Sequence, residues 1–505
     1  MLRRTKIICT IGPSSWHHKT LEKLIIGDMD VARINTSHST QEEIINLVNT
    51  IRTISYKNNK NTAILLDLQG PKIRVGQLDK PIKLKDKQKV LFTTLNEEKE
   101  LNNLKDFYKK NIININNNDA DDNNKNLNIN TDDIDIINVD YENFLNDIKE
   151  GATIFLDDGL LECKVLNINK DNKFAEALVI RGGLLKSHKG INLPGVSVSI
   201  DSVTKKDLEF LELGINENVD FIAQSFVRQA EDVKKVKDII KSKNSHIMVI
   251  AKIEKHEAVT NFNSILKQAD GIMIARGDLG VEINQEDIPH IQKEIIKKAN
   301  IAGKPVITAT QMLDSMIRNP RPTRAEVSDV ANAILDGSDA VMLSGETASG
   351  KFPLEAFEMM VKIINKTENT LDYQEILQKK FAEKQNTITE AISFAACEIA
   401  SELDCKAIIT STQSGNTARQ ISKNKPKSII IGTSPYDWVI KQLMLSWGVI
   451  PVKTNFTNNI NEIIEEAINA TKEKNLIEKG DTVVITGGVM VNKPGSTNFI
   501  NVKEV

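Results

Sequence analysis

The chain has 505 residues, a length typical of about three domains, and its 65 Lys and Arg against 68 Asp and Glu give a net charge of −3. Hydrophobic residues make up 40% of the chain, which indicates packed globular domains and excludes wholesale disorder. The near-neutral charge gives no electrostatic basis for binding nucleic acid, and no apolar run approaches the roughly 18 residues of a membrane helix.

The N-terminal segment and the cysteines indicate the compartment. Residues 1–13 lack the pattern of a secretion signal and predict a strand, although a targeting peptide already removed before Met1 remains an alternative. The four cysteines show neither metal-ligand spacing nor a disulfide framework: Cys9, Cys163, Cys397 and Cys405. We therefore expect a reducing, cytoplasmic location without a membrane partner.

Eight short apolar runs, most of them separated by amphipathic helical patterns, predict a parallel sheet buried on both faces. The runs are Lys6–Gly12, Val31–Asn35, Ala63–Leu68, Phe221–Phe226, Met248–Ile253, Gly271–Arg276, Val306–Thr310 and Ala340–Gly345. Eight such units favour a (β/α)8 barrel over the alternative of an open doubly wound sheet. We place the barrel at residues 1–71 and 205–358.

About 150 residues separate the third run from the fourth, too many for an ordinary loop. Strand-like pieces and turn signals predict an inserted β-rich domain at 72–204, at the carboxyl end of the barrel strands, where it can act as a lid. Half of the residues from 111 to 130 are asparagine. This composition predicts a disordered loop over about 96–138. We favour a lengthened, solvent-exposed loop without a function of its own over an arm that binds a partner.

Residues 359–505 predict a separate α/β domain, because an amphipathic helix at Thr387–Leu403 is followed by further short β-runs. A hydroxyl-rich turn precedes a helix in this domain and is suited to bind a phosphate group. A plain helix cap explains the same residues equally well. The turn contains Thr410, Ser411, Thr412, Ser414, Gly415, Asn416 and Thr417.

Polar residues end most of the barrel runs, and in such barrels the carboxyl ends of the strands carry the chemistry. Glu254 and Asp278 follow neighbouring runs and are suited to hold Mg²⁺ with few other protein ligands. Arg33, Arg74 and Lys252 supply positive charge for a phosphate. These residue types indicate phosphoryl transfer or enolate chemistry on a small anion.

Several segments resemble the pyruvate kinase family. They include KIICTIGPSS, DVARINTSHS, LLDLQGPKIRVG, AKIEKHEA, GIMIARGDLGVEI and the stretch from Thr308 to Gly350. The resemblance covers nearly the whole chain except about 96–138. It implies phosphate transfer from phosphoenolpyruvate to ADP, giving pyruvate and ATP. It also implies a homotetramer, with a sugar-phosphate or nucleotide effector bound by the C-terminal domain.

The resemblance also implies roles for individual residues. The catalytic residues would be Arg33, Lys252, Thr310, Ser344 and Glu346. The substrate would contact Arg33, Lys252, Gly277, Asp278 and Thr310, and Mg²⁺ or Mn²⁺ would bind Glu254 and Asp278. The nucleotide contacts would be Asn35, His38, Arg74 and, from the lid, Lys189. Asp158 would help to close the lid.

A monovalent-cation pocket departs from the pattern of the K⁺-dependent members. Its outline is Asn35, Ser37, Asp67 and the carbonyl of Leu68. Those members place an acidic residue where this chain has Lys72, and Leu68 and Gln69 also match the K⁺-independent branch. Because an ammonium near the phosphate can replace the charge of K⁺, and because two cations would repel, we predict that K⁺ is not required.

Two other functions fit parts of the sequence. A lyase or other enolate enzyme on a similar barrel would use the metal and a carboxyacid but no ADP, and the lid with Lys189 argues against it. A non-catalytic regulatory homologue would bind a sugar phosphate or a protein, and the presence of Lys252, Glu254 and Asp278 argues against that function.

Overall fold

The computed structural model describes residues 3–118, 134–383, 386–457, 459–488 and 497–505. The chain begins with three barrel strands and two helices: β1 (Lys6–Thr10), α1 (His18–Ile26), β2 (Val31–Asn35), α2 (Gln41–Lys57) and β3 (Ala63–Asp67). β1 and β3 are buried along their whole length, as their unbroken apolar runs predict. Thr40 and Glu43 form a capping box that starts α2.

The inserted domain follows β3. Its elements are β4 (Ile82–Leu84), β5 (Lys89–Thr93), α3 (Glu98–Asn118), β6 (Asp135–Asn138), α4 (Phe144–Asp147), β7 (Thr153–Leu156), β8 (Leu161–Asn169), β9 (Phe174–Arg181), β10 (Gly183–Leu185) and β11 (Ile191–Asn192). Six strands form one sheet in the order β11-β7-β8-β9-β5-β6, and β4 pairs with β10. The insert has its own core around Phe92, Phe144 and Ile154, so it packs as a unit.

The prediction of a disordered loop over 96–138 is wrong at both ends, where α3 and β6 lie. Leu104 and Tyr108, one helical turn apart, are buried against Leu91 and Phe174. The ring of Tyr108 stands edge-on to that of Phe174 at 5.9 Å. The asparagine-rich composition concealed this apolar stripe. Residues 119–133 of the predicted loop lie outside the described residues.

The chain then completes the barrel. The elements are α5 (Lys205–Asn216), β12 (Phe221–Gln224), α6 (Ala230–Ser242), β13 (Met248–Ile253), α7 (His256–Thr260), α8 (Phe262–Gln268), β14 (Gly271–Ala275), α9 (Arg276–Glu282), α10 (Ile288–Ile301), β15 (Val306–Ala309), α11 (Arg324–Leu335), β16 (Ala340–Leu343), α12 (Gly345–Ala348) and α13 (Pro353–Glu368), with 3₁₀ turns at Gln285–Asp287 and Asp314–Ile317. The strands close in the order β1-β16-β15-β14-β13-β12-β3-β2, all parallel. The predicted barrel is therefore confirmed, and the open sheet is excluded.

Four aspartates clasp the amino-terminal end of the barrel: Asp30, Asp220, Asp270 and Asp339. Each lies directly before a strand and accepts the backbone N–H of one residue in the neighbouring strand. The donors are Ile7, Ile64, Val249 and Val306, at 2.8, 2.8, 2.9 and 2.9 Å. Each aspartate also donates its own N–H to the carbonyl of that same residue. The clasp thus satisfies backbone groups at the start of four strand pairs.

Asp220 makes the stability of the barrel depend on pH. Burial raises the pKa of this carboxyl to about 6, although the Ile64 N–H and the charges of Lys441 and Arg52 act in the opposite direction. The folded chain therefore binds a proton more tightly than the unfolded chain, and stability falls as the pH rises through about 4 to 6. We expect the unfolding free energy of the unmodified chain, relative to Asp220→Asn, to drop by about 2–3 kcal/mol over that interval. Parallel pH curves for the two proteins would contradict this.

The C-terminal domain contains α14 (Tyr373–Glu383), α15 (Ile388–Glu402), β17 (Ala407–Ser411), α16 (Asn416–Ser422), β18 (Ile429–Ser434), α17 (Asp437–Leu443), β19 (Val449–Lys453), α18 (Ile460–Glu473), β20 (Thr482–Gly487) and β21 (Phe499–Glu504). Its sheet has the order β19-β18-β17-β20-β21, with only β21 antiparallel. Among the described helices of the whole chain, none combines the length and apolar character needed to cross a membrane.

The C-terminal domain packs against the clasped end of the barrel. Lys425 Nζ lies 2.9 Å from Asp339 Oδ1, and both side chains are buried. Lys6 Nζ donates to the carbonyl of Val449 at 2.8 Å. The insert and the candidate site lie at the opposite end of the barrel, at the carboxyl ends of the strands.

Candidate active site

A buried ammonium and two carboxylates meet at the carboxyl ends of the barrel strands. Lys252 lies in β13, and its Nζ is 2.8 Å from Glu254 Oε1 and 3.2 Å from Asp67 Oδ1. It also donates to Ser225 Oγ, directly after β12, at 2.7 Å. All three charged residues are buried. Parallel strands bring these residues together although they lie far apart in the chain.

The charges of this cluster stabilise one another. Burial lowers the pKa of Lys252, but the carboxylates of Asp67 and Glu254 outweigh it and hold the pKa above its usual value. Burial raises the pKa of Asp67, but Lys252 and Arg33 outweigh it and hold the pKa below its usual value. Lys252 is therefore charged and Asp67 ionised throughout the physiological range.

Arg33 adds a second cation to the cluster. Its Nε lies 2.7 Å from Asp67 Oδ2, and its Nη1 donates to Thr10 Oγ1 at 2.8 Å. Asp67 thus holds the guanidinium of β2 and the ammonium of β13 on its two oxygens. This arrangement fixes two positive charges side by side, which suits a phosphate group.

Glu254 and Asp278 form a pair of like charges. Glu254 is buried, and its Oε2 accepts the N–H of Phe226 at 2.9 Å. Burial raises the pKa of Glu254, the charge of Asp278 adds to this, and Lys252 opposes it. The Asp278 side chain, in the first turn of α9, is 37% exposed. Two oxygen donors that repel one another fit a hard divalent cation such as Mg²⁺. In the described part of the chain no set of three acidic, histidine or cysteine side chains could hold a metal ion.

Thr310 holds the start of α9. Its Oγ1 accepts the N–H of Gly277 at 2.7 Å and donates to the carbonyl of Ala309 at 2.6 Å. The backbone of Thr310 has φ +66°, an unusual conformation for a β-branched residue. The amide of Gly277, predicted to bind a carboxylate, is thus already paired with Thr310.

Glu346 braces the loops that follow β15 and β16. Its two carboxylate oxygens accept the N–H of Leu313 at 3.0 Å and of Ser344 at 2.8 Å. The carboxylate is buried, and each of its two oxygens accepts one of these backbone N–H groups. The hydroxyl of Ser344 is also buried, but it has no hydrogen-bond partner within the described residues. Of these two predicted catalytic residues, Glu346 is engaged by the backbone, whereas the hydroxyl of Ser344 can still hydrogen-bond to a substrate or a water molecule.

Lys72 joins the lid to the barrel. Its Nζ lies 3.4 Å from Asp158 Oδ1 in the lid and 4.0 Å from Asp278 Oδ1 at the barrel mouth. Lys189 Nζ pairs with Asp157 at 2.8 Å within the lid. The predicted lid residues therefore face a network of acidic groups.

The other residues predicted to bind the nucleotide are Arg74, Asn35 and His38, and in the described part of the chain their side chains form no hydrogen bond with Lys252, Asp67 or Glu254. Arg74 Nη1 donates to the carbonyl of His188 at 3.1 Å. Asn35 Oδ1 accepts the N–H of Ser37 at 3.1 Å, in the turn that follows β2. His38 is exposed in the same turn. Among the described residues, no hydrogen bond links His38 to Arg74.

The residues predicted to outline a monovalent-cation pocket lie at the ends of β2 and β3 and in the turn between β2 and α2. The hydroxyl of Thr36 donates to the carbonyl of Asp67 at 2.9 Å, and the N–H of Leu68 donates to Ala223 at 2.9 Å. Asn35 and Ser37 lie in the adjoining turn. The Asp67 carboxylate already pairs with two cations, the guanidinium of Arg33 and the ammonium of Lys252.

Comparisons with known proteins agree with this geometry. The sequence matches the family description "Pyruvate kinase, barrel domain" over residues 2–117 and 106–357, and "Pyruvate kinase, alpha/beta domain" over 390–503. The chain belongs to the pyruvate kinase family. It is 42% identical over 504 residues to a pyruvate kinase of Geobacillus stearothermophilus, covering 99% of the chain and 80% of that relative. A relative from Staphylococcus epidermidis is 41% identical over 501 residues, with the same coverage.

A crystal structure of a pyruvate kinase from Cryptosporidium parvum has a TM-score of 0.86 to this chain at 36% identity. The similarity covers 99% of this chain and 96% of that structure. Both comparisons therefore extend over the barrel, the lid and the C-terminal domain. Membership in the pyruvate kinase family makes the chain a phosphotransferase.

The predicted effector turn is only partly available to a ligand. Thr410 is completely buried in β17, and its hydroxyl donates to the carbonyl of Ile431 at 3.2 Å. We therefore remove Thr410 from the candidate effector contacts, because its side chain is engaged inside the sheet. Thr417 is also buried, and its hydroxyl pairs with Thr497 at 2.8 Å. The remaining members of the turn are Ser411, Thr412, Ser414, Gly415 and Asn416.

Sequence reasoning missed Ser225 and Thr10 as members of the cluster. Both lie at the end of an apolar run, as the predicted residues do, but neither carries a charge that would draw attention to it. Their hydroxyls hold Lys252 and Arg33, respectively. Their position at the end of a predicted strand was the only feature of the sequence that could have indicated their place in the site.

Proposed function

We propose that the chain transfers the phosphoryl group of phosphoenolpyruvate to ADP, forming pyruvate and ATP. The observation that carries this proposal is the buried Lys252 ammonium between Asp67 and Glu254. Its position at the mouth of the barrel, with Arg33 beside it on the shared Asp67, suits a substrate that carries both a phosphate and a developing enolate charge.

In this proposal Arg33 binds the phosphate of phosphoenolpyruvate, and Lys252 donates hydrogen bonds to the phosphoryl group and the enolate oxygen. The bond between phosphorus and the bridging oxygen breaks, and its electron pair remains on that oxygen. An oxygen of the ADP β-phosphate forms the new bond to phosphorus. Lys252 stabilises the charge that develops on both sides of the transfer. The enolate then takes up a proton from solvent, and the hydroxyl of Ser344, which has no hydrogen-bond partner within the described residues, is proposed to orient the water that delivers it.

Glu254 and Asp278 would hold Mg²⁺ or Mn²⁺, which when bound neutralises part of the phosphoryl charge. Burial and the charge of Asp278 raise the pKa of Glu254, and a divalent cation between the two carboxylates would offset their repulsion. Thr310 and Glu346 act by fixing the ends of β15 and β16. Thr310 also holds Gly277 and Asp278 at the start of α9, and the substrate carboxylate is proposed to replace Thr310 Oγ1 as the acceptor of the Gly277 N–H.

Asn35, His38, Arg74 and Lys189 are proposed to bind the nucleotide. Arg74 and Lys189 belong to the insert, and Asn35 and His38 belong to the turn after β2. Closure of the lid would bring the two groups together. The approach of Lys72 Nζ in the lid to Asp278 Oδ1 at the barrel mouth, 4.0 Å apart, supports a lid that rests on the barrel.

The test of the proposed function is turnover of phosphoenolpyruvate with ADP and Mg²⁺, followed as pyruvate and as ATP. We expect both products in equal amounts. Consumption of phosphoenolpyruvate without ATP would favour a different enolate enzyme. A folded protein that binds sugar phosphates but gives no turnover would favour a regulatory homologue.

We also propose that the reaction needs no K⁺. Lys72 supplies a positive charge close to Asp278, and Asp67 is already neutralised by Arg33 and Lys252. We expect activity within about twofold in K⁺-free and K⁺-containing buffers, because the ammonium supplies the charge. Lys72→Glu should lose about tenfold or more without K⁺ and recover with it. The exposed Lys80→Glu is the matched charge reversal, and loss of all activity of the unmodified chain in K⁺-free buffer would contradict the proposal.

A phosphorylated effector is proposed to bind the turn at 411–417, in a homotetramer. The left-handed conformation of Gly415, with φ +77°, turns the chain into α16 and supports a turn whose N–H groups can face a ligand. A panel of sugar phosphates and nucleotides should include one that raises the apparent affinity for phosphoenolpyruvate. Replacing Ser414 with aspartate should abolish that response, because a carboxylate repels the phosphate.

A further inference from the structure

Phe226 lies between the insert and the proposed metal site. It follows Ser225 just after the end of β12, and its backbone N–H donates to Oε2 of Glu254 at 2.9 Å. The other carboxylate oxygen, Oε1, lies 2.8 Å from Nζ of Lys252. Because each carboxylate oxygen has two lone pairs, both oxygens can still bind a cation. The amide of Phe226 therefore orients the Glu254 carboxylate without occupying it completely.

The backbone of Phe226 is held in an unusual conformation. Its φ of +55° lies in the left-handed region, which a residue with a bulky side chain seldom adopts. Such a conformation persists only where the surrounding structure holds it. Phe226 is only half-buried, and its ring is contacted from two directions, by Gly70 and by Lys255. Both contacts lead to the insert.

The first contact is with the segment that leads into the insert. Gly70 has φ +68°, and its N–H donates to Oδ1 of Asp207 at 3.1 Å. A Cβ atom added to Gly70 would lie 2.7 Å from Cδ2 of Phe226 and 3.1 Å from Cβ of Ser225, so the backbone passes directly against the ring. Oδ2 of Asp207 accepts the N–H of Thr204 at 2.9 Å. Asp207 thus ties together the two places where the chain enters and leaves the insert.

The second contact reaches the insert through side chains. Nζ of Lys255 lies 5.5 Å from the centre of the Phe226 ring, a distance at which an ammonium is attracted to an aromatic face. Lys255 pairs with Oε1 of Glu282, the last residue of α9, at 2.5 Å. Nδ2 of Asn192, in β11 of the insert, donates to the same oxygen at 3.2 Å. Phe226 is therefore linked to the insert on two sides.

We propose that Phe226 is a positioning residue, which holds the Glu254 carboxylate for a divalent cation and makes its orientation depend on the contact between insert and barrel. The proposal rests on the proposed metal binding by Glu254. Movement of the insert shifts Gly70 and Asn192, and the ring of Phe226 transmits the shift to the amide that Glu254 accepts. Because such coupling is reciprocal, a cation bound by Glu254 also favours one position of the insert.

Binding of Mn²⁺ to the full chain without substrates, measured from the electron paramagnetic resonance of the free ion, tests the positioning role. Gly70→Ala should raise the dissociation constant about fivefold or more, because the added Cβ displaces the Phe226 ring. The matched control is Gly195→Ala, since Gly195 has φ +70° and an added Cβ would meet nothing within 4 Å. This variant carries the same backbone strain and should bind Mn²⁺ as tightly as the unmodified chain. Equal dissociation constants for the two variants would overturn the proposal.

Substitutions of Phe226 itself keep the proposal testable if Gly70→Ala fails to fold. Phe226→Gly allows the left-handed backbone but removes the ring, and it should weaken Mn²⁺ binding as Gly70→Ala does. Phe226→Tyr keeps the ring and should restore the affinity. If Glu254→Gln loses Mn²⁺ binding and Phe226→Gly retains it, the positioning role alone is wrong. If Glu254→Gln retains Mn²⁺ binding, the metal assignment of the proposed function is wrong and this proposal with it.

Energy transfer between two dyes measures the coupling to the insert. The four native cysteines are buried, so dyes can be attached selectively through the exposed positions of Lys170→Cys in the insert and Lys241→Cys on the barrel. We expect Mg²⁺ to change the transfer efficiency of this labelled chain, and Phe226→Gly to remove most of the change. A transfer efficiency that Mg²⁺ leaves unaltered, or that responds equally in Phe226→Gly, would contradict the coupling.

Discussion

Replacing Lys252 with methionine is expected to lower kcat by about 10³-fold while the protein remains folded. Methionine keeps the length of the side chain but removes the ammonium that lies 2.8 Å from Glu254 and 3.2 Å from Asp67. The developing charge of the transfer then loses its preorganised donor. Asp67 retains Arg33 as a partner, and Glu254, whose pKa is already raised, can take up a proton instead.

The matched control is Lys267→Met, because Lys267 is exposed on the barrel surface. Steady-state turnover and thermal unfolding are measured for both variants. Lys267→Met should keep the kcat and the melting temperature of the unmodified chain. A Lys252→Met protein that retains kcat within tenfold would remove Lys252 from the proposed chemistry.

Breaking the buried pair of Lys425 and Asp339 is expected to cost about 3–5 kcal/mol. Asp339→Asn keeps an oxygen for the N–H of Val306 but leaves the Lys425 ammonium buried without its carboxylate. Lys425→Met leaves the opposite charge unpaired. The double variant Asp339→Asn/Lys425→Met should lose less than the sum of the single variants, because it leaves no unpaired charge.

Chemical unfolding followed by tryptophan fluorescence measures this effect, since Trp447, one of the three tryptophans, is buried and its ring centre lies 4.8 Å from Lys425 Nζ. The pair of Lys427 and Asp404, two residues along the chain and exposed, provides the control. Lys427→Met should leave the unfolding midpoint nearly unchanged. If the two lysine variants unfold at the same midpoint, the contact between Lys425 and Asp339 does not hold the domains together.

The barrel could be predicted from the sequence because its strands are buried on both faces. Such strands are unbroken apolar runs, and each of the eight runs contains a strand of the structure. Helix α3 could not be predicted from composition, since only a few residues on one side of it, such as Leu104 and Tyr108, are buried. The surrounding asparagines outnumber them and conceal the helical spacing.

The types of the site residues could be predicted, but their pairings could not. Lys252 and Asp67 are 185 positions apart, and their contact depends on the register of β3, β12 and β13. The same holds for Lys72, whose approach to Asp278 depends on how the lid rests on the barrel. Glu346 had a charge suited to catalysis, but its contacts are with backbone N–H groups, and no sequence pattern indicates that.

The four clasping aspartates repeat the same contact at four pairs of barrel strands. Each clasp joins two neighbouring strands, namely β1 with β2, β3 with β12, β13 with β14 and β15 with β16. Sliding either strand of a pair by one residue would break its clasp and turn buried side chains to the opposite face. Besides the backbone pairing along the strands, the alignment of these four pairs is thus fixed by side chains at the end remote from the chemistry. The loops at the other end are free to vary, and one of them has accommodated a whole domain between β3 and β12 without disturbing that alignment.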